Sequence, residues 1–166
     1  GSYVRDKDAV VASMLICEMA SYYAANNSSL KAELGRIYKT FGTYLHKVDS
    51  FEFDGLAGMD QMKQIMENLR TEAPVEIAGY QVTVAEDYET RVSLDMATGE
   101  KTPIELPRAN VLIYHLQGGV SVIVRPSGTE PKIKVYYSVP AATRAEAEQQ
   151  QKLLATAARG LLGFAK

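Results

Sequence analysis

Apolar residues surround most sides of the stretch from Asp8 to about Ala25, where Val10, Val11, Met14, Leu15, Cys17, Met19 and Tyr22 leave no clean polar stripe. That pattern predicts a helix buried against other structure. Asn26-Asn27-Ser28-Ser29 supplies turn and cap residues. A second helix is predicted to about Phe41, because Leu30, Leu34, Ile37, Tyr38 and Phe41 recur at helical spacing and Gly42 can close it. From Thr43 to Phe53 the helical period is lost, which predicts a hinge near His46, a domain boundary, and a strand in which Phe51 and Phe53 flank Glu52. Met59, Met62, Ile65, Met66 and Leu69 mark a third helix that ends before Pro74, with its methionines as core filling.

Beyond Pro74 the period changes to two. Val82 and Val84, then Leu112, Tyr114 and Leu116, then Val120, Val122 and Val124 alternate with their neighbours and predict three strands. The fourth strand has Ile133, Val135, Tyr137 and Val139 on one face and Lys132, Lys134, Tyr136 and Ser138 on the other. Gln117-Gly118-Gly119 is a hairpin turn. Residues 85–110 are polar and hold Thr98-Gly99 and Pro107, so they read as a long irregular excursion. Thr143-Arg144-Ala145-Glu146 is a capping-box pattern opening a last helix, whose apolar face is Leu153, Leu154, Ala157, Ala158, Leu161 and Leu162. From about residue 49 onward the elements make an α+β layer, an antiparallel sheet covered by two helices.

At 166 residues the chain fits one ordinary domain, or a small domain with a piece of a neighbour. With 46% apolar and 23% charged residues it has the balance of a soluble globular protein, and no apolar run is long enough to span a membrane. Gly1-Ser2 reads as a cloning remnant. The single Cys17 excludes an internal disulfide and is expected to be a buried, inert thiol in a reducing, cytoplasmic setting. A net charge of -2 gives no general attraction to nucleic acid or to an anionic membrane, so any anion must be held by a local site.

One segment concentrates donors. Between two of the strands, Arg125-Pro126-Ser127-Gly128-Thr129-Glu130-Pro131-Lys132 carries a guanidinium, two hydroxyls, an ammonium and the backbone N–H groups around Gly128. The set suits a dianionic phosphate: Arg holds two oxygens at once, and Gly128 permits a positive-φ turn in which successive N–H groups converge on an anion. Pro126 and Pro131 stiffen its entry and exit. Turns are commonly rich in the same residues, so by chemistry alone a plain turn with a surface arginine fits equally well. Ser127 has no base placed to make it a nucleophile. Asp6 and Asp8 read as helix-opening charges, not metal ligands, and His46 and His115 as structural or surface residues. Lys132, Lys134 and Tyr136 share a face, but the acidic balance argues against a nucleic-acid platform.

The run from Val124 to Tyr136, VRPSGTEPKIKVY, resembles the phosphate-binding signature of the C-terminal domain of the α-D-phosphohexomutases, in the form typical of phosphoglucomutases. Val4-Arg5-Asp6-Lys7-Asp8-Ala9-Val10 is similar to the segment just after that family's sugar-recognition loop, and Ile77-Ala78-Gly79-Tyr80 and the run from Leu106 to Leu112 resemble further phosphoglucomutase segments. The resemblance implies that residues 3–48 are the helical end of a third domain. It implies that residues 49–166 are a fourth domain resembling the TATA-box-binding protein fold. For the complete protein it implies interconversion of glucose 1-phosphate and glucose 6-phosphate, with glucose 1,6-bisphosphate as activator or intermediate. A phosphoserine of the first domain, Mg2+ held by a DGDGDR-like loop of the second and a GEES-like loop of the third would do the chemistry. None of those motifs occurs in the chain, so it is expected to be inactive alone and to need the remaining domains of its parent. Arg125, Ser127, Gly128, Thr129 and Lys132 would clasp the phosphate that is not transferred, and Lys7 would contact the substrate. The alternatives are a stand-alone phosphosugar-binding module without turnover, part of a phosphomannomutase or phosphopentomutase, and an interaction domain whose first helix docks a partner.

Overall fold

The computed structural model describes residues 7–55 and 57–164, and the expectations for Gly1, Ser2, Val4, Arg5 and Asp6 lie outside them. The chain forms two units, the first through Gly42 and the second from Thr43.

The first unit holds α1 (Ala9–Ala25) and α2 (Leu30–Phe41). Asp8 is the N-cap of α1 and accepts from the Val11 N–H at 2.9 Å, the helix-opening role expected of it. Ser29 caps α2 in the same way through the Ala32 N–H. No described residue of this unit is buried. Met14 is 67% exposed, and Leu15, Ile16, Tyr22 and Phe41 are exposed with it. The expectation of a buried Cys17 is therefore corrected: the thiol is exposed, and no residue of α1 is buried within the unit.

The second unit opens with β1 (Thr43–Glu52), so the expected hinge at His46 falls within a continuous strand. Next come α3 (Gly58–Thr71), β2 (Glu76–Ile77), β3 (Tyr80–Asp87), β4 (Val92–Asp95) and β5 (Lys101–Pro103). The unit closes with β6 (Leu112–Leu116), β7 (Ser121–Pro126), β8 (Lys132–Ala141) and α4 (Arg144–Leu161). The main sheet runs β1-β8-β7-β6-β3-β4-β5, and every pairing in it is antiparallel. Gly118 and Gly119, both at positive φ, make the tight β6–β7 turn that glycine permits without a Cβ clash.

The irregular excursion expected over residues 85–110 is corrected. Its polar residues stitch two short strands together: Asp95 Oδ1 accepts from the Ala97 and Thr98 N–H groups and from the Thr98 hydroxyl, and the β4–β5 hairpin folds around that carboxylate. The last helix also differs in detail. Thr143 caps it through the Glu146 N–H, but Glu146 accepts from Gln150 instead of closing the box. Its buried stripe is Ala147, Leu154, Ala158 and Leu162, whereas Leu153 and Leu161 are exposed, so the apolar face is narrower than the leucine pattern predicts.

One core joins the sheet to both helices. Met62, Met66 and Leu69 of α3 and Leu154 and Ala158 of α4 pack on the inner row of β8, where Ile133, Val135 and Val139 are 0% exposed. Tyr114 ties the far end of α3 to β6, its hydroxyl donating to the Leu69 carbonyl oxygen at 3.0 Å. Burial pushes the phenols of Tyr114 and Tyr137 far up from their ordinary values. Their protonated forms thus add stability in full below the unfolded phenol value of about 10, and lose it as the pH climbs above that. Tyr114→Phe leaves the Leu69 carbonyl unpaired and is expected to cost about 1–2 kcal/mol in urea denaturation at neutral pH. The same variant should lose less stability than the unsubstituted chain between neutrality and pH about 11; an equal alkaline loss in both would refute the assignment.

Candidate functional site

The β7–β8 connection is built on a register that leaves no choice of face. Val124 pairs with Val135 and Pro126 with Ile133, and the inward Val124, Ile133 and Val135 are held in the core. Arg125 and Lys134, paired directly across the two strands, must then both point to the outer face. Two cations so placed repel, since opposite Cβ atoms lie only about 5 Å apart. Among the described residues, Arg125 makes no ion pair and no side-chain hydrogen bond.

The loop closes by three backbone bonds of 2.8 Å each. The Ser127 N–H donates to the Lys132 carbonyl oxygen and the Lys132 N–H to that of Glu130, while the Phe53 N–H donates to the Pro131 carbonyl oxygen. The last of these seats the exit of the loop against the chain leaving β1. Gly58, the first residue of α3, completes that seat. A Cβ there would stand 2.8 Å from the Phe53 carbonyl oxygen and 3.1 Å from Pro131 Cβ, so only glycine lets helix and loop approach this closely.

Inside lies a cleft of about 220 Å³. Four of the residues expected from sequence line it: Arg125, Ser127, Gly128 and Lys132. Thr129 does not; it is exposed on the loop. Lys134, Tyr136 and Glu130 line it as well, and the sequence reading did not assign them to the site. The signal for Lys134 and Tyr136 is the alternation of β8, which puts them on the face of Lys132.

One expectation for the loop is corrected. Gly128 is not in the positive-φ region, so no nest forms by that route. A Cβ at Gly128 would meet nothing within 4 Å, so the fold itself does not require glycine there. The Lys132 ammonium pairs with the Glu130 carboxylate at 2.5 Å. The hydrogen bond from Lys132 holds the Glu130 carboxyl below its usual range, and the same contact raises Lys132. Ser127 Oγ accepts long contacts from the Thr129 and Glu130 N–H groups, at 3.4 and 3.3 Å, and keeps its own proton to donate. Among the described residues the Gly128 N–H and the Thr129 hydroxyl have no partner. The cleft therefore offers a guanidinium, an ammonium, a hydroxyl and a backbone N–H, with one carboxylate beside them.

Lys7 is exposed in the first unit, directly before the N-cap Asp8. His46 is exposed on β1, and His115 on β6 sits 3.4 Å from Glu86. No group of three His, Cys, Asp or Glu side chains among the described residues could hold a metal ion. A larger cleft of about 590 Å³ lies between the end of α3 and the β3–β4 wing, but Arg70 in its wall is already paired, with Asp87 at 3.1 Å and Asn110 at 2.9 Å.

Residues 61–157 match the family profile of the phosphoglucomutase/phosphomannomutase C-terminal domain. Phosphoglucomutases of Staphylococcus epidermidis and Staphylococcus aureus strain MSSA476 are each 39% identical to the chain over 82% of its length. That of Staphylococcus saprophyticus is 33% identical over 88%. The chain spans about a quarter of the length of these curated relatives, 25% of the first two and 26% of the third. A crystal structure of pp63/parafusin, a phosphoglucomutase from Paramecium, in its open form covers 99% of the chain with a TM-score of 0.55. At 14% identity, and with 28% of that protein matched, it bears on fold alone. No described helix is long and apolar enough to cross a membrane.

The seat at Gly58 generates a test. Gly58→Ala replaces a poor helix former by the best one, a gain of up to about 1 kcal/mol in a free helix. Here it should instead destabilise by about 1–3 kcal/mol, because the new methyl must push Pro131 or the Phe53 carbonyl aside. Hydrogen exchange at the Phe53 N–H should accelerate along with the drop in the denaturation midpoint.

Proposed function

Since the chain belongs to the phosphoglucomutase/phosphomannomutase family and carries its C-terminal domain, we propose that the β7–β8 loop clasps the substrate phosphate that is not being transferred. One observation carries the reading. Arg125 and Lys134 face each other across the ladder, held together by the core on the reverse side of the sheet, and a dianion between them would turn repulsion into attraction. Ser127 and the Gly128 N–H add uncharged donors at the same cleft, and Thr129 stands beside them for a ligand that reaches past its rim. Gly128, where a Cβ would meet nothing within 4 Å, leaves open space beside these donors. Lys132 joins only when the anion displaces Glu130.

In the complete protein the clasp would anchor one end of a sugar phosphate while the other end reacts. Positioning and charge stabilisation dominate phosphoryl transfer, so a remote anchor affects rate without touching the reacting atoms. The proposed reaction is the interconversion of glucose 1-phosphate and glucose 6-phosphate through glucose 1,6-bisphosphate, in the cytoplasm. Mannose or pentose phosphates are the alternatives. The Mg2+ of that reaction would take its ligands from outside the described residues, which offer no ligand set for it. Lys7 is proposed to contact the substrate, on the likeness of its segment, and residues 3–48 are proposed to close a third domain. The exposed apolar residues of α1 are the surface that the remaining domains would cover.

The chain alone should therefore bind phosphate weakly, on the order of millimolar, and show no turnover of glucose 1-phosphate with its bisphosphate activator. Magnesium-dependent formation of glucose 6-phosphate by the pure chain would contradict that. In a chemical-shift titration, Arg125→Ala should weaken phosphate binding about tenfold or more, the loss of a charged hydrogen-bond pair. Glu130→Gln should strengthen it several-fold, because it releases Lys132 and removes the one carboxylate at the cleft. Should Arg125→Ala leave the shifts of residues 125–132 unchanged, the clasp assignment would fall.

A further inference from the structure

The donors of the β7–β8 cleft all lie toward the loop, and its far wall is Tyr136. Tyr136 belongs to a different cross-strand row from the cations. It pairs with Ile123 of β7 and Val48 of β1, and Ile123 pairs in turn with Ile113 of β6, so four apolar-bodied side chains stand side by side on the outer face of the sheet. None of the four belongs to the buried core, which is on the opposite face. The Tyr136 hydroxyl has no hydrogen-bond partner among the described residues.

The spacing matches a two-part ligand. Lys134 and Tyr136 are two residues apart on one face of β8, hence about 7 Å apart along the strand. That is close to the span from a phosphate group to the far side of a sugar ring esterified to it. At about 220 Å³ the cleft has room for about seven water molecules, more than a phosphate group alone would occupy. A phenol ring is also suited to the task, since its face accepts the C–H groups of a sugar and its hydroxyl reaches toward ring oxygens.

We propose that Tyr136, backed by Ile123, is a platform for the ring of the sugar phosphate whose phosphate Arg125 and Lys134 hold, and so a specificity-determining residue for hexose phosphates over smaller phosphate esters. The inference rests on the phosphate-clasp reading. It adds that this unit recognises the sugar as well as the anion.

Titrating the whole chain with inorganic phosphate, glycerol 3-phosphate and glucose 6-phosphate separates the two. The unsubstituted chain should bind glucose 6-phosphate about three- to tenfold more tightly than either of the others. Tyr136→Thr keeps a side chain suited to a strand and should erase that preference while leaving inorganic phosphate affinity within about twofold. Tyr136→Phe should keep most of it. Absence of any preference in the unsubstituted chain, or its persistence in Tyr136→Thr, overturns the platform. So does an equal loss for all three ligands, which would mean that Tyr136 merely shapes the cleft. Failure of inorganic phosphate to bind, or binding indifferent to Arg125→Ala, would instead refute the clasp, and the platform with it.

Discussion

The second unit depends on the burial of one row of side chains on β8. Ile133, Val135, Tyr137 and Val139 are sealed between the sheet and the two helices, and at roughly 1.5–3 kcal/mol per fully buried large apolar side chain that row outweighs any single polar contact on the outer face. Because strand side chains alternate strictly, fixing these four also fixes where Lys132, Lys134 and Tyr136 point. β7 is locked by the same logic through Val122 and Val124, which leaves Arg125 on the outer face opposite Lys134. A charge arrangement that is unfavourable by itself is thus maintained by hydrophobic burial on the other side of the sheet. On the proposed reading, a bound anion would relieve that arrangement.

Glu130 moderates that state. In the free loop its carboxylate pairs with Lys132, whereas Arg125 and Lys134 make no ion pair among the described residues. On the proposed clasp reading, an incoming phosphate would compete with this internal carboxylate. Such a site would favour a dianion over chloride or a singly charged monoester.

Much of this was legible in the sequence, and the limits have physical causes. The alternation along residues 132–139 and 120–125 identified both strands and their inner faces, because a half-buried antiparallel strand has a period no other element shares. Met62, Met66 and Leu69 likewise revealed the buried face of α3. The strands β4 and β5 escaped because four and three residues are too few to display a period, and their turn residues look like those of an irregular loop. Within the loop, composition showed a concentration of donors but not their geometry: neither the ordinary φ of Gly128 nor the grip of Glu130 on Lys132 can be inferred from residue types. Lys134 lay outside the motif's familiar donors although its alternation placed it on the correct face. On α1 the apolar pattern was read as burial, whereas no residue of that helix is buried and Cys17 is exposed.

The pairing of β1 with β8 has a consequence for how the chain assembles. Thr43 meets Ala141 and Glu52 meets Lys132, so the first strand of the unit waits for partners roughly 80 to 100 residues later in the chain. During synthesis on the ribosome β1 emerges long before β8, and Leu45 and Phe51 stay without a core to enter until nearly the whole domain has left the exit tunnel. Closing so long a loop makes the final docking of β8 a late, cooperative event that creates the β1–β8 ladder and the ligand cleft together. A nascent chain cut short before β8 would lack α4 and the β7–β8 hairpin as well, and with them the closed cleft.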